Sequence, residues 1–180
     1  MGLLESGSVE RFDRAVDRAF EPLRRQPAAN RVMYAVSELA DFSLLWHTIS
    51  VGRAAFGGPR EERQMVRLST ALGVEAALVN GPIKAMFHRA RPEFEGDRPH
   101  TLRQPATSSF PSGHASAAAC AVTILCDGAG PIATIGWIAL GTAVATSRVH
   151  VRIHHASDIV GGAMIGLLAG ATFRRLWPLA

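Results

Sequence analysis

Hydrophobic positions along this chain fall into six stretches separated by polar or Gly/Pro-rich breaks. In residues 9–24, Phe12, Ala15, Val16, Ala19, Phe20 and Leu23 recur at helical spacing, with Asp13, Arg14, Asp17 and Arg18 opposite. That pattern predicts an amphipathic helix, lying on a membrane interface or packed against a bundle. Residues 33–56 are the first long apolar stretch, interrupted by Glu38, Asp41, His47 and Arg53. Gly57, Gly58 and Pro59 end it, and 60–63 (REER) reads as a solvated turn. The second stretch runs from Leu68 to Phe87, and Pro82 predicts a kink just before Lys84. Residues 88–112 form a long polar connection with four prolines, the kind of loop that usually carries function. Three more apolar helices are expected at 113–126, 132–147 and 156–173. The reading is one all-α domain over 1–180, with about five long helices from residue 33 onward and an amphipathic helix before them.

Residues 128–147 and 159–173 contain no charged side chain. About 20 apolar residues cross a bilayer. Gly162, Gly166 and Gly170 make two overlapping G-x3-G steps, which suit close helix contact inside the protomer or between copies. Mean hydropathy is only +0.14, but that average hides the segmentation. A membrane-embedded bundle therefore fits better than a soluble one.

Charge changes the picture in one respect. The formal net charge is +4, and among 19 Lys and Arg residues the sole lysine is Lys84. The arginines form no single stripe, zinc-ligand spacing is absent, and aromatics do not interleave with them, so nucleic acid is not the expected partner. Anionic lipid headgroups are. Cys120 and Cys126 lie six apart in an apolar run and read as buried small hydrophobes. No signal-peptide core opens the chain, so export by cleavage is not expected.

The candidate chemistry sits in three polar clusters: Lys84-x6-Arg91-Pro92, Pro111-Ser112-Gly113-His114, and Ser147-Arg148-x5-His154-x3-Asp158. Lys84 ends the second long helix, His114 begins the third, Arg148 follows the fourth, and His154 and Asp158 begin the fifth. In an alternating bundle these ends share one face. Three cations suit the charge on a phosphoryl group. Ser112 and Gly113 open a helix whose first N–H groups favour an anion. His154 and Asp158, four apart, share a helical face, so the carboxylate can orient the imidazole for attack on phosphorus. His114 comes from another helix as general acid and then base. His155 competes with His154, being three residues from Asp158. Arg89, Arg152, His88 and His150 read as bystanders or supporting groups. Glu38, Asp41 and Glu75 are unusual in apolar helices, as functional groups or structural pairs. No metal-ligand spacing or cofactor motif is present.

The full pattern resembles the signature of the type 2 phosphatidic acid phosphatase (PAP2) superfamily, which also includes vanadium haloperoxidases. The resemblance implies a helical PAP2/haloperoxidase-like core and metal-independent hydrolysis. It implies a nucleophilic His154, a general acid His114 and an orienting Asp158. It implies phosphate binding by Lys84, Arg91, Ser112, Gly113 and Arg148. Membrane members commonly have six spans, where this chain offers five.

In size and Arg/Ala-rich composition the chain is similar to decaprenylphosphoryl-5-phosphoribose phosphatases. A polyprenyl-linked phosphate is thus the expected substrate, with phosphatidate, phosphatidylglycerol phosphate or a polyprenyl diphosphate as rivals. A vanadium-dependent haloperoxidase and a non-enzymatic membrane protein are the other classes. A multi-pass protein of the inner (plasma) membrane follows. Arginines at 11–31 held inside would put the site on the cytoplasmic face.

Overall fold

The structure, a computed structural model, describes residues 7–94 and 98–179. Its described elements are helical: α1 (Gly7–Arg24), α2 (Pro27–Leu39), α3 (Leu44–Phe56), α4 (Pro59–Leu78), α5 (Gly113–Leu125), α6 (Pro131–His150) and α7 (Ala156–Leu176).

α5 is the axis of the bundle. Its buried positions are Ala115, Ser116, Ala117, Ala118, Cys120, Ala121, Ile124 and Leu125, so α4, α6 and α7 can all approach it. The closest approach is by α7. A Cβ on Gly166 would lie 2.0 Å from the Ser116 carbonyl oxygen, and one on Gly162 would lie 2.3 Å from that of Ser112. The glycine ridge is thus used inside the protomer, where only a hydrogen side chain fits. It is not a free face for a second copy.

The outward faces are apolar. Ile132, Ile135 and Ile138 on α6, and Val160, Met164, Leu167 and Leu168 on α7, are exposed. A bundle that turns large aliphatic side chains outward is built for lipid. α6 and α7 are long and apolar enough to cross a bilayer. α3 and α5, at 13 residues each, rise only about 20 Å, short of a core of about 30 Å.

The first apolar stretch differs from expectation. It is not one helix over 33–56. Phe42 and Ser43 adopt left-handed backbone angles (φ 53° and 59°), which break α2 from α3. α2 then lies across the site end of the bundle. Asn30 near its start meets His150 Nε2 at 2.8 Å, while Ser37 near its end meets Arg148. Tyr34 packs between them against Val151, Ile153 and Leu102.

Residues 60–63 are not a solvated turn either. Pro59 starts α4, and Glu61 accepts the Gly58 N–H at 3.0 Å as a cap. The same helix secures the far end of the bundle. Arg67 pairs with Asp127 at 2.7 Å and donates to the Trp177 carbonyl at 3.0 Å. Gln64 donates to the Ile124 carbonyl at 2.9 Å. At its other end, the kink expected at Pro82 is a π-helical turn over Val79–Ile83. α6 runs three residues further than expected, so Arg148 is in its last turn rather than after it.

α1 docks through a mixed face rather than a purely apolar or purely polar one. Its inward side holds the buried Asp13, Phe20 set edge-on to His150, and Arg24, which donates to the carbonyls of Val149 and His150 at 2.8 and 2.9 Å. Phe12 and Ala15 face outward. A helix that grips the protein through charges and turns aliphatic and aromatic groups outward suits the bilayer interface.

Candidate active site

The end of α4, the start of α5, the end of α6 and the loop before α7 surround one cavity of about 530 Å³. Lys84, Gly113, His114, Arg148 and His154 line it. Lys84 makes no ion pair among the described residues. Arg103 and Phe42, stacked with 4.6 Å from guanidinium to ring centroid, stand on its wall. Arg91, Ser112 and Asp158 sit behind that lining and act on it.

His154 precedes α7 rather than beginning it. The i, i+4 argument for its pairing with Asp158 therefore fails in detail, since no helical turn connects them. Asp158 is the third residue of α7, and its Oδ2 reaches back to accept the His155 N–H at 2.9 Å. From there it meets His154 Nδ1 at 3.5 Å. The other ring nitrogen, Nε2, lies 3.3 Å from an Arg91 guanidinium nitrogen. Arg91 is fixed in turn by the carbonyls of Ile153 and Thr107, both at 3.1 Å. Burial pushes the His154 imidazole down to about 3. The Asp158 hydrogen bond opposes this, while Arg148 and Arg91 reinforce it. The ring is neutral at pH 7, as a nitrogen nucleophile must be.

His155 faces elsewhere. Its Nε2 lies 3.3 Å from the Ala90 carbonyl oxygen, on the exposed side of the loop.

Ser112 caps α5, with its Oγ 3.4 Å from the Ala115 N–H. Its own N–H donates to the Asp158 carbonyl at 3.1 Å, which ties the 111–114 segment to α7. That N–H is used internally. The anion site expected at this helix start therefore rests on the N–H groups of Gly113 and His114. Gly113 leaves room there: a Cβ would meet Asn80 Oδ1 at 3.2 Å.

His114 Nε2 lies 3.0 Å from Asp41 Oδ1 and 3.2 Å from the Ser37 carbonyl oxygen. Ser37 Oγ also accepts from Arg148. The break between α2 and α3 thus delivers Asp41 to one ring and Ser37 to both clusters.

Several of these groups escaped the sequence. Ser109 donates to Asp158 Oδ2 at 2.5 Å. Arg89, for which the sequence left bystander and supporting roles open, is a supporting group: it bonds Asp158 Oδ1 at 2.5 Å and Asp13 Oδ2 at 2.6 Å. Asp13 also accepts the Ser157 N–H and hydroxyl, both at 2.8 Å. Only the oddity of an acid in an apolar stretch flagged Asp41. Nothing flagged Asp13, Ser37 or Ser109, which are ordinary polar residues until folding pairs them.

The described part of the polar loop is anchored too. Arg98 donates to the Val151 carbonyl and stacks 4.2 Å from the Phe94 ring centroid. Among the described residues, no group of three His, Cys, Asp or Glu side chains is placed to hold a metal ion. Lys84, Arg103 and Arg148 are the cations on the cavity wall, with Asp41 and Glu75 its carboxyl groups and Arg91 just behind it.

Residues 64–179 match the PAP2 superfamily, a span that holds all three clusters. The chain belongs to the PAP2 superfamily. It is 27% identical to phosphatidylglycerophosphatase B of Bacillus subtilis (strain 168), over 92% of this chain and 83% of that one. The crystal structure of a transmembrane PAP2 type phosphatidylglycerolphosphate phosphatase from Bacillus subtilis superposes with a TM-score of 0.75. Identity there is 25%, over 96% of this chain and 88% of that one. Aquifex aeolicus LpxE shares the fold at a TM-score of 0.78 and 19% identity, over 97% and 99% of the two chains. As a PAP2 protein this chain is a multi-pass inner-membrane lipid phosphate phosphatase.

Proposed function

We propose that the chain hydrolyses a lipid-linked phosphate monoester, without a metal, through a phosphohistidine on His154. The observation that carries this is the position of the His154 imidazole. It opens on the cavity with Asp158 behind one nitrogen and Arg91 beside the other. Lys84, Arg91 and Arg148, with the Gly113 and His114 N–H groups, hold the equatorial phosphate oxygens. His154 Nε2 attacks phosphorus, and its Nδ1 proton is held toward Asp158. The P–O bond to the lipid alcohol breaks, and His114 gives that oxygen a proton. Burial pushes the His114 imidazole down, and the Asp41 carboxylate opposes this by steadying the imidazolium form before the transfer. Water then attacks the phosphohistidine with His114 as base, and inorganic phosphate leaves.

A phosphatidylglycerol phosphate-type substrate is favoured. The Bacillus subtilis relatives are named for that lipid, and they cover most of both chains. The polyprenyl-linked phosphoribose suggested by size and composition has no such support among the relatives.

The test is phosphate release by purified protein from four lipids: phosphatidylglycerol phosphate, phosphatidate, a polyprenyl phosphate and a polyprenyl diphosphate. His154→Ala and a peroxide-dependent halogenation arm with added vanadate run alongside. The proposal expects release by wild type, highest with phosphatidylglycerol phosphate, and at least 1,000-fold less by the variant. Equal release by both proteins would refute the nucleophile. Halogenation without release would refute the reaction class.

A further inference from the structure

At about 530 Å³ the cavity is in the size range that holds a whole small ligand, which is more than one phosphoryl group. Part of its wall is therefore free to read the rest of the substrate. The two arginines on that wall differ. Arg148 is tied to Ser37 Oγ. Arg103, from the polar loop, makes no hydrogen bond or ion pair among the described residues. It rests on the Phe42 ring, with 4.6 Å from guanidinium carbon to ring centroid.

Arg103 is exposed, and an exposed loop arginine is usually only solvated. Phe42 sets this one apart. Its φ of 53° is left-handed, which is rare for a bulky residue, and Ser43 follows it with φ 59°. The break that these angles make ends α2 and sets Asp41, Phe42 and Ser43 on the cavity wall. A cation–π contact positions a guanidinium but occupies none of its N–H donors. The fork of Arg103 is thus held at the cavity and left open for an oxyanion.

Asp41 defines the side of the cavity on which this happens. Its carboxylate meets His114 Nε2 at 3.0 Å, and Phe42 is the next residue. His114 gives the leaving oxygen its proton, so the wall from His114 through Asp41 and Phe42 to Arg103 is the leaving-group wall. Arg103 is within electrostatic range of both Asp41 and Arg148. Two guanidinium groups in each other's field repel, and an anion bound beside them offsets that. The transferred phosphate already has Lys84, Arg91 and Arg148 around it. A further cation on the leaving side matches a second negative group.

We propose that Arg103, positioned by Phe42, is a specificity-determining residue for a second anionic phosphate on the leaving part of the substrate. That group is a phosphodiester beyond a short carbon spacer, or a phosphate joined directly as in a diphosphate. Both offer the paired oxygens that a guanidinium fork takes. The inference rests on the phosphatase reading above and deepens it. A lipid with a single phosphate leaves the exposed fork in water, without a burial penalty. Arg103 therefore favours doubly anionic lipids and does not exclude singly anionic ones.

The experiment compares wild type, Arg103→Ala and Arg103→Lys in mixed micelles of a neutral detergent, on two pairs of lipids. Phosphatidylglycerol phosphate carries a phosphodiester beyond a glycerol spacer, and phosphatidate of the same acyl chains carries none. A polyprenyl diphosphate and the matching monophosphate form the other pair. The readout is the ratio of kcat/KM within each pair, which does not depend on the folded fraction of a preparation. In Arg103→Ala at least one ratio is expected to fall by about tenfold or more. Arg103→Lys keeps the charge and loses the fork, so its ratio is expected to fall less. The pair that responds identifies the source of the second phosphate. Ratios unchanged in both pairs overturn the inference and leave the phosphatase reading intact. Equal losses on all four lipids overturn it as well, since Arg103 would then serve the transferred phosphate. Wild type that acts on the single-phosphate lipids alone also overturns it. No release from any lipid by wild type overturns the phosphatase reading, and this inference with it.

Discussion

Asp13 and Asp158 are bridged by one guanidinium: Arg89 bonds the first at 2.6 Å and the second at 2.5 Å. An interfacial helix at one end of the chain is thereby coupled to the carboxylate behind the nucleophile near the other. Arg89 and Asp158 are almost inaccessible to water, so their pairing is not a screened surface contact. Removing Asp13 leaves Arg89 free to swing and Asp158 free to follow it.

Asp13→Asn is therefore expected to lower kcat roughly 10- to 100-fold with KM changed less than threefold. Asp158→Asn should cost more, because it removes the His154 contact itself. Steady-state kinetics on one lipid phosphate checks both. A rise in KM alone for Asp13→Asn would show that α1 serves binding, not alignment.

His114 and Asp41 sit 3.0 Å apart, which suits a general acid whose charged form is steadied by a carboxylate. His114→Ala and Asp41→Asn should lose activity on an alkyl phosphate, by about 100-fold or more for His114→Ala. A good leaving group needs no proton, so p-nitrophenyl phosphate should recover most of the phosphorylation rate in both variants. Equal losses on the two substrates would remove His114 from that role.

Burial lowers the His154 pKa to about 3, against about 6.5 for a free imidazole. Between those values the unfolded chain binds more protons at this position than the folded chain. Its contribution to stability is complete above about pH 6.5 and is lost as pH falls toward 3. The slope is at most about 1.4 kcal/mol per pH unit. Thermal unfolding in detergent should show wild type losing Tm faster than His154→Gln below pH 6. Parallel curves would mean that the imidazole is not held neutral.

Gly166 and Gly136 make a matched test of packing. A methyl on Gly166 runs into the Ser116 carbonyl, while nothing lies within 4 Å of one on Gly136. Gly166→Ala should destabilise by about 1–3 kcal/mol. Gly136→Ala should be neutral or slightly stabilising, because alanine favours the helix. Tm measurements on the two variants decide it.

α1 grips the site end of α6 and α7, so the N-terminal helix and the catalytic cavity lie on one side of the membrane. Single cysteines at Ser8 and Thr101 should react alike with an impermeant reagent in intact cells. Opposite labelling would break the α1 docking. The charge-based expectation of a cytoplasmic site adds that neither should label from outside.

The three polar clusters and the ends they occupy were legible in the sequence because each is a polar break in an apolar background. His154, His114, Lys84 and Arg148 reach one cavity as that pattern implied. Helix ends were less legible. Glu61 and Glu62 are solvated as expected but form the first turn of α4 rather than a loop, and Arg148 looks like a loop residue but lies in the last turn of α6. The break at Phe42–Ser43 has no Gly or Pro to announce it, so α2 and α3 read as one stretch. Asp13 was hidden for another reason. Amphipathic periodicity shows which face is apolar, and in a membrane protein the apolar face need not be the one that packs on the protein.

The account stands on His154 becoming covalently phosphorylated. Rapid denaturation during turnover of a lipid carrying radiolabelled phosphate, followed by peptide mapping, reads this directly. Acid-labile, base-stable label on the peptide at His154, absent from His154→Gln, is the expected result. Label on His155 or His114, or undiminished turnover by His154→Gln, would contradict it.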